Sequence, residues 1–176
     1  VYLSCFFKPN LPVPYINRYL FAAMLLVRES VGNTAGVNLE LKWPNDFLFK
    51  ENKVGGVLLE VSGEIDCPDY LIIGVGLNPA RSCEINEQSL FPHTTLSDLY
   101  ESIIKELEQV HETAISEKLI ESWKAASTTL GRKVLVKDRA KTEIGTAVDI
   151  SETGALIIKS QSSLHSFPWG DCYHQE

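Results

Sequence analysis

The sequence lacks the cysteine spacing of a zinc site or of a disulfide framework. Its four cysteines, at positions 5, 67, 83 and 172, form no CxxC pair and have no paired histidines, so neither kind of site is indicated. A reducing compartment is the simpler interpretation, and we predict a cytoplasmic protein. Cys172 lies close to His174 in the sequence, but we do not interpret the two as a nucleophilic pair.

Long hydrophobic runs and a surplus of basic residues are also missing. The apolar stretch 19–27 has nine residues and is bracketed by Arg18 and Arg28, which is too short for a helix that crosses a bilayer. The net charge is −7, and all of that imbalance lies in residues 1–127, whereas nonspecific nucleic-acid binding needs a basic surface. We therefore predict no membrane partner and no nucleic-acid partner.

Residues 37–61 predict a β-hairpin with unusually polar residues between its apolar runs. The first strand covers 37–41 and resumes at 47–49, and the second covers 53–61. The polar residues 50–52 fit the turn between them, and we expect Asn52 to adopt the positive φ of that turn.

Four polar side chains fall near one end of this hairpin, within reach of a common ligand: Lys42, Asn45, Asp46 and Lys53. Gly55-Gly56 follows directly, and glycine inside a strand marks a bulge or a close approach to the backbone. An anionic ligand pressed against the main chain, with a lysine as countercharge, fits this pattern. A bulge that turns a sheet corner, with both lysines solvated, fits it as well.

A third segment, 70–79, predicts a buried strand with two glycines at alternate positions. Residues two apart face the same side of a strand, so Gly74 and Gly76 would clear one face, with Asn78 at its end. An asparagine amide both donates and accepts, which suits a base, a ribose or a metal-bound water. The segment is not a dinucleotide fingerprint, because the third glycine is missing and no helix follows.

Together these blocks resemble the catalytic core of biotin protein ligases, also called biotin–[acetyl-CoA-carboxylase] ligases or holocarboxylase synthetases. The blocks are Lys42-Trp43-Pro44-Asn45-Asp46, Lys53-x-Gly55-Gly56-x-Leu58-x-Glu60 and Gly74-Val75-Gly76-Leu77-Asn78. The resemblance extends from about Val1 to the C-terminus. It implies an enzyme that uses ATP and Mg²⁺ to convert biotin to biotinyl-5′-AMP. It also implies transfer of the biotinyl group to a lysine of the biotin carboxyl carrier domain of acetyl-CoA carboxylase.

On the biotin side, the resemblance makes Lys53 the catalytic residue, in contact with the biotin carboxylate and the α-phosphate. Two like charges about 4 Å apart repel by roughly 4 kcal/mol at an effective dielectric near 20, so a cation is needed where carboxylate and phosphate meet. The resemblance further implies that Gly55 and Gly56 let the backbone close on biotin and that Leu58 lines its apolar pocket.

On the nucleotide side, the resemblance assigns Lys42 and Asn45 to the nucleotide and Asn78 to the adenylate or the metal. Asp46 is the implied Mg²⁺ ligand. Mg²⁺ prefers oxygen ligands and keeps several waters, so one carboxylate plus the substrate phosphates is a sufficient site.

One element of the family pattern does not occur in the 176 residues: the loop of the type Gly-Arg-Gly-Arg-x-Gly-Arg that closes over biotin and the phosphates. The sequence also has no initiator methionine, so we expect an N-terminally truncated catalytic core that is weak or inactive by itself. Two alternatives stay open, a noncatalytic remnant that binds biotin or adenylate and a lipoate-type protein ligase. A homodimer through a sheet edge is a further expectation.

The predicted fold class is α+β. Residues 1–127 are expected to form a class II synthetase-like core, a mixed sheet with helices packed on it. Short, evenly spaced strands in 128–176 predict a small antiparallel barrel that resembles the SH3-like C-terminal domain of biotin ligases. We predict strands at 133–137, 143–150, 155–159 and 164–167.

Three helices complete the prediction. The first has Pro12 and Pro14 in its first turn and ends at Gly32. The second covers 95–113 with Thr95 or Ser97 as a cap, and the third covers 116–126, with Trp123 in the core. Residues 79–92 are predicted to form a loop.

Overall fold

The computed structural model describes residues 1–64, 68–78, 91, 93–161 and 163–175. These residues form two five-stranded sheets and a layer of helices. The elements are β1 (Tyr2–Phe7), a 3-10 turn (Val13–Tyr15), α1 (Asn17–Ala35), β2 (Glu40–Lys42), β3 (Asp46–Phe49), β4 (Asn52–Gly63), β5 (Pro68–Leu77), α2 (Leu96–Leu107), α3 (Val110–Ile115), α4 (Leu119–Ala126), β6 (Lys133–Lys137), β7 (Thr142–Ile150), β8 (Leu156–Ser160), β9 (Ser163–Phe167) and β10 (Asp171–His174).

The first sheet has the strand order β1-β5-β4-β3-β2, and the predicted α+β class is confirmed. Each of its strand pairs is antiparallel, which differs from the predicted mixed sheet. The physical reason is that β2 to β4 are joined by tight turns, whereas a parallel pair needs a long crossover connection. An isolated parallel bridge joins Leu41 to Ser127 at the edge of this sheet.

The predicted hairpin is confirmed as β3 and β4, but its turn differs from the prediction. The positive φ values belong to Lys50 (49°) and Glu51 (67°), and not to Asn52. Two consecutive positive φ values make a turn whose twist matches that of the flanking strands. Asn52 begins β4 instead, and its side-chain Nδ2 donates to the Lys50 carbonyl oxygen at 2.9 Å.

Helix α1 supplies much of the core, because residues from most of its faces are buried. It ends four residues later than predicted. Gly32 lies inside the helix, and Gly36 closes it with a φ of 67° while its N–H donates to the Gly32 carbonyl oxygen at 3.0 Å. A glycine four residues before the C-cap therefore misled the prediction, since only Gly36 adopts the left-handed conformation.

The predicted helix 95–113 is divided into α2 and α3. The Thr95 cap is confirmed, because its Oγ1 accepts from the Asp98 N–H at 3.1 Å. The core position of Trp123 is also confirmed, since its ring is fully buried and stacks on Phe21 with centroids 4.4 Å apart. Most of the predicted loop 79–92 lies outside the described residues.

The second sheet has the order β10-β6-β7-β8-β9 with antiparallel pairs throughout. All four strands predicted for this part of the chain are confirmed within one residue at each end. Strand β10 is an addition that the sequence did not predict. Because it pairs with β6, the last strand of the sheet lies beside its first.

A buried arginine ties the second sheet to the helices. The Arg18 guanidinium donates to the carbonyl oxygens of Ala114 and Ser116 at 2.7 Å each, and to that of Glu152 at 3.1 Å. The turn before β8 is also closely packed, because a side-chain carbon at Gly154 would lie 3.1 Å from Cβ of Asn17. The division at residue 127 remains a prediction. Across the described ranges, no helix has both the length and the apolar character needed to span a membrane.

Candidate functional site

An open cleft of about 420 Å³ lies on the outer face of the first sheet. Its floor comes from β4 and β5, one wall comes from β1, and three polar residues close one end. The floor and wall include Gly56, Leu58, Gly74, Gly76, Tyr2 and Ser4, and the polar end consists of Asn45, Asp46 and Lys53. The cleft thus brings together residues from all three sequence blocks, 42–46, 53–60 and 74–78.

The cleft exists because glycines face one another across β4 and β5. Gly56 pairs directly with Gly76, and Leu58 pairs with Gly74. A side-chain carbon at Gly74 would lie 3.7 Å from Cβ of Leu58, and one at Gly76 would lie 3.7 Å from the ring of Tyr2. These are ordinary contact distances, and among the described residues no atom would lie closer than 3.7 Å to either added carbon. Leu58 is 58% exposed and supplies an apolar wall.

The polar end of the cleft is built around an ion pair between Lys53 and Asp46. Lys53 Nζ lies 2.6 Å from Asp46 Oδ1, and the side chains are 62% and 16% exposed. A bulge makes this possible. The β3–β4 register shifts between Phe47 and Leu48, so Asp46 faces Gly56 while Leu48 faces Lys53. The extra residue brings Lys53 and Gly56, three apart in sequence, to one face of the sheet.

Asn45 holds the turn between β2 and β3 against β4. Its carbonyl oxygen accepts from the Val57 N–H at 2.9 Å, and its Nδ2 donates to the Val57 carbonyl oxygen at 2.9 Å. Asn45 lines the cleft, but its amide nitrogen is already occupied. The preceding Trp43 ring is buried, and the Trp43–Pro44 peptide bond is cis.

Lys42 lies on the other side of the ion pair, in two polar grooves of about 360 and 380 Å³ between the first sheet and β10. Both grooves also contain Asp46 and Lys53. The predicted gathering of Lys42, Asn45, Asp46 and Lys53 at one end of the hairpin is therefore confirmed. The second sheet contributes groove residues that the sequence did not single out: Arg132, Asp171, Cys172, Tyr173 and His174.

These residues were missed because β10 was missed. The sequence offers one weak signal, the alternation of polar and apolar residues in Asp171-Cys172-Tyr173-His174. Burial raises the pKa of the Cys172 thiol to about 11, with Lys42 opposing the shift. A thiol of that kind is protonated at neutral pH, which agrees with the absence of a nucleophilic role. Burial also lowers the pKa of His174, and the positive charges of Lys42 and Arg132 lower it further.

Besides Lys42, two predicted site residues do not line the cleft. A side chain at Gly55 would collide with the Gly76 carbonyl oxygen and lie 2.8 Å from Cδ2 of Leu77. The absence of a side chain at Gly55 thus allows β4 and β5 to pack closely. Asn78 follows β5 at an exposed position, where its N–H donates to the Val54 carbonyl oxygen at 2.7 Å. The cleft floor ends two residues earlier, at Gly76.

The side chains near the cleft offer few ligands for a magnesium ion. Among the described residues, no group of three or more His, Cys, Asp and Glu side chains is placed to hold a metal. The cleft does offer the carboxylate of Asp46 at its polar end. One carboxylate fits a Mg²⁺ ion that takes its remaining ligands from water and from phosphate oxygens.

Two family models match the chain. The model described as "Biotin/lipoate A/B protein ligase family" matches residues 2–78, and "Biotin protein ligase C terminal domain" matches residues 129–175. The first of these includes the cleft and the ion pair, and the second includes the whole second sheet.

Curated relatives match along nearly the whole chain. A Bifunctional ligase/repressor BirA of Bacillus spizizenii is 22% identical over 93% of the chain and 55% of its own length. A Biotin--[acetyl-CoA-carboxylase] ligase of Mycobacterium tuberculosis is 28% identical over 94% of the chain and 65% of its own length. The chain thus spans between about half and two thirds of the length of these relatives.

Solved structures of biotin protein ligases have a fold similar to that of this chain. A biotin protein ligase of Aquifex aeolicus has a TM-score of 0.79 at 24% identity, covering 99% of this chain and 81% of the other. The Aquifex aeolicus enzyme in complex with biotin and ATP has a TM-score of 0.69 at 26% identity, covering 99% and 77%.

Proposed function

This chain belongs to the biotin protein ligase family, and we propose that it belongs to an enzyme that activates biotin with ATP. The product of that step is biotinyl-5′-AMP, and the biotinyl group then passes to a lysine of a biotin carboxyl carrier domain. The observation that carries the proposal is the union of an apolar, glycine-floored cleft with Lys53 at its end.

Biotin suits this cleft because it is a compact, mostly apolar ring system with a carboxylate on a flexible chain. We assign the ring to the space above Gly56, Gly74 and Gly76, against Leu58. The carboxylate then meets Lys53 Nζ, which is more than half exposed and needs no rearrangement of the backbone to reach it. A carboxylate that is already ionised requires no base for its attack on the α-phosphate.

Lys53 has a second task in this proposal. The attacking carboxylate and the α-phosphate carry like charges, and a cation fixed between them lowers the cost of bringing them together. In the structure without ligands, Lys53 is paired with Asp46 at 2.6 Å. We infer that the incoming carboxylate and phosphate take over Lys53, which frees the Asp46 carboxylate.

The freed Asp46 carboxylate would hold Mg²⁺, which when bound neutralises phosphate charge. We assign the nucleotide to the grooves beside Lys42, with Asn45 fixing the turn on which Lys42 and Asp46 lie. Asn78 remains a proposed contact of the adenylate. The role of Gly55 in the proposal is indirect, since its close contact with β5 keeps Gly56 and Gly76 opposite each other.

Calorimetry with biotin and with a non-hydrolysable biotinyl-adenylate tests the proposal. We expect Lys53→Met to weaken binding of the adenylate by about tenfold or more, because a charge-assisted contact is lost. Lys105→Met is the matched control, since Lys105 is exposed in the last turn of α2. Equal affinity in the wild type and Lys53→Met would contradict the assignment.

The same titration separates the substrate classes. Lipoate in place of biotin should bind weakly, and preferred binding of lipoate would favour the lipoate-type alternative. Binding of the adenylate, together with no pyrophosphate release when biotin and ATP are supplied, would favour the noncatalytic alternative. Light scattering checks the further proposal of a homodimer.

A further inference from the structure

Thr129 is a polar residue that is completely buried where the first and second sheets meet. Its hydroxyl accepts a hydrogen bond from the Trp43 main-chain N–H at 3.0 Å, and this bond is buried. Trp43 follows Lys42 directly and begins the turn that carries Asn45 and Asp46. A residue just before the second sheet therefore holds the main chain of the candidate site.

The neighbouring contacts show that this hydroxyl is not redundant. The adjacent Thr128 makes two hydrogen bonds to one acceptor, because its N–H (2.8 Å) and its Oγ1 (3.3 Å) both donate to the Leu41 carbonyl oxygen. The Trp43 N–H lies between Lys42 and a proline and has Thr129 Oγ1 as its acceptor. A buried N–H without an acceptor is costly, so removal of this oxygen must shift the turn.

The other side of Thr129 faces β10. Its Oγ1 lies 3.3 Å from His174 Nε2, and burial together with Lys42 and Arg132 lowers the pKa of that imidazole. A neutral imidazole accepts at one nitrogen, so the hydroxyl can accept from Trp43 and donate to His174 at once. The side chain is thereby fixed from both sheets.

We propose that Thr129 is a positioning residue that sets Lys42 and Asp46 for the nucleotide from the second sheet. The inference rests on the proposed function and adds a residue that positions the nucleotide side of the site. The biotin end of the cleft is formed by β1, β4 and β5, whereas the Thr129 hydroxyl contacts Trp43 and His174. Loss of the hydroxyl should therefore change nucleotide recognition without changing biotin recognition.

Calorimetry on the full chain with biotin and with a non-hydrolysable biotinyl-adenylate tests this split. We expect Thr129→Val to weaken the adenylate by about tenfold and to leave biotin affinity within about twofold. Thr129→Ser, which keeps the hydroxyl, should restore adenylate affinity. Thr146→Val is the matched control, because Thr146 is exposed on β7 and lines neither the cleft nor the grooves. Equal losses for biotin and adenylate would show a merely structural role and overturn the proposal.

Amide hydrogen exchange at Trp43 supplies a readout that needs no ligand. The Trp43 N–H should exchange faster in Thr129→Val and stay protected in Thr129→Ser, and unchanged exchange would overturn the proposal. If Thr129→Val does not fold, His174→Leu takes its place and should weaken the adenylate by about threefold with biotin unchanged. A wild type that binds no ligand while the Trp43 exchange pattern holds would refute the proposed function alone.

Discussion

The glycines of the cleft floor and the packed glycine of the second sheet have opposite surroundings. At the cleft floor, a side-chain carbon added at Gly74 or Gly76 would meet no described atom closer than 3.7 Å. In the second sheet, the space beside Gly145 is filled by the Lys159 carbonyl oxygen and by Ile158, whose Cγ2 would lie 2.6 Å from an added carbon. The difference comes from the partner strand. Gly76 lies opposite Gly56, and Gly74 lies opposite Leu58, whose side chain is exposed.

The contrast extends to what each sheet does for the site. The first sheet offers an uncovered face with a charged end, whereas the second sheet is closely packed and reaches the site through β10 and Thr129. One sheet is thus shaped to receive a ligand, and the other is shaped to hold the first in place. Four predictions test this difference between the two sheets.

The largest effect is expected at the joint between the regions. Arg18→Met removes the guanidinium that donates to the carbonyl oxygens of Ala114, Ser116 and Glu152, and we expect the free energy of unfolding to fall by about 3 kcal/mol. Chemical denaturation measures this. Arg139→Met is the control, because Arg139 is exposed, and a similar loss in both variants would contradict the role of Arg18.

The next effect tests the packed glycine. Gly145→Ala forces a side chain against the main chain of Lys159, so we expect the free energy of unfolding to fall by about 2 kcal/mol. Gly76→Ala should cost less than about 1 kcal/mol, because its nearest contact would be a ring at 3.7 Å. Equal costs in the two sheets, measured by urea unfolding, would remove the contrast.

Alkaline pH compares the two sheets through their cysteines. Burial raises the pKa of Cys172 from 9.0 to about 11, so the folded state keeps a proton that the unfolded state loses. The stabilisation is complete below pH 9 and falls as the pH rises toward 11. We expect the stability advantage of the wild type over Cys172→Ala to shrink by about 2 kcal/mol across that range.

Cys5 serves as the reference for this measurement. Burial also raises its pKa, but the side chain is only partly buried, so Cys5→Ala should show a smaller change between pH 9 and 11. Parallel unfolding curves for wild type and Cys172→Ala across that range would be evidence against a strongly raised thiol pKa.

The smallest effect is confined to binding. Gly74→Ala adds one methyl group to the cleft floor at an ordinary contact distance of 3.7 Å from Leu58, so the fold should be preserved. We expect biotin affinity to fall by about tenfold, which is 1.4 kcal/mol. Calorimetry measures it, and unchanged affinity would move biotin away from this face.

Local rules explain what the sequence predicted of these sheets. The alternation of Gly74 and Gly76 needs only the two-residue period of a strand, and the gathering of Lys42, Asp46 and Lys53 needs only a hairpin. The position of β10 beside Lys42 depends on pairing with β6 and on Thr129, contacts that no local pattern encodes. The bulge that places Lys53 on the cleft side depends on the β3–β4 register. From the sequence alone, Gly55-Gly56 fitted both a bulge at a sheet corner and a backbone that approaches a ligand.

The packing of the three tryptophans has a spectroscopic consequence. Trp43 and Trp123 are almost completely buried, whereas Trp169 is 63% exposed. Trp43 Nε1 donates to the Gly154 carbonyl oxygen at 3.1 Å across the two regions. A variant that keeps only Trp43 should therefore emit at short wavelength while the regions are docked and shift to longer wavelength once they part. The emission wavelength of Trp43 would therefore report whether the two sheets remain in contact.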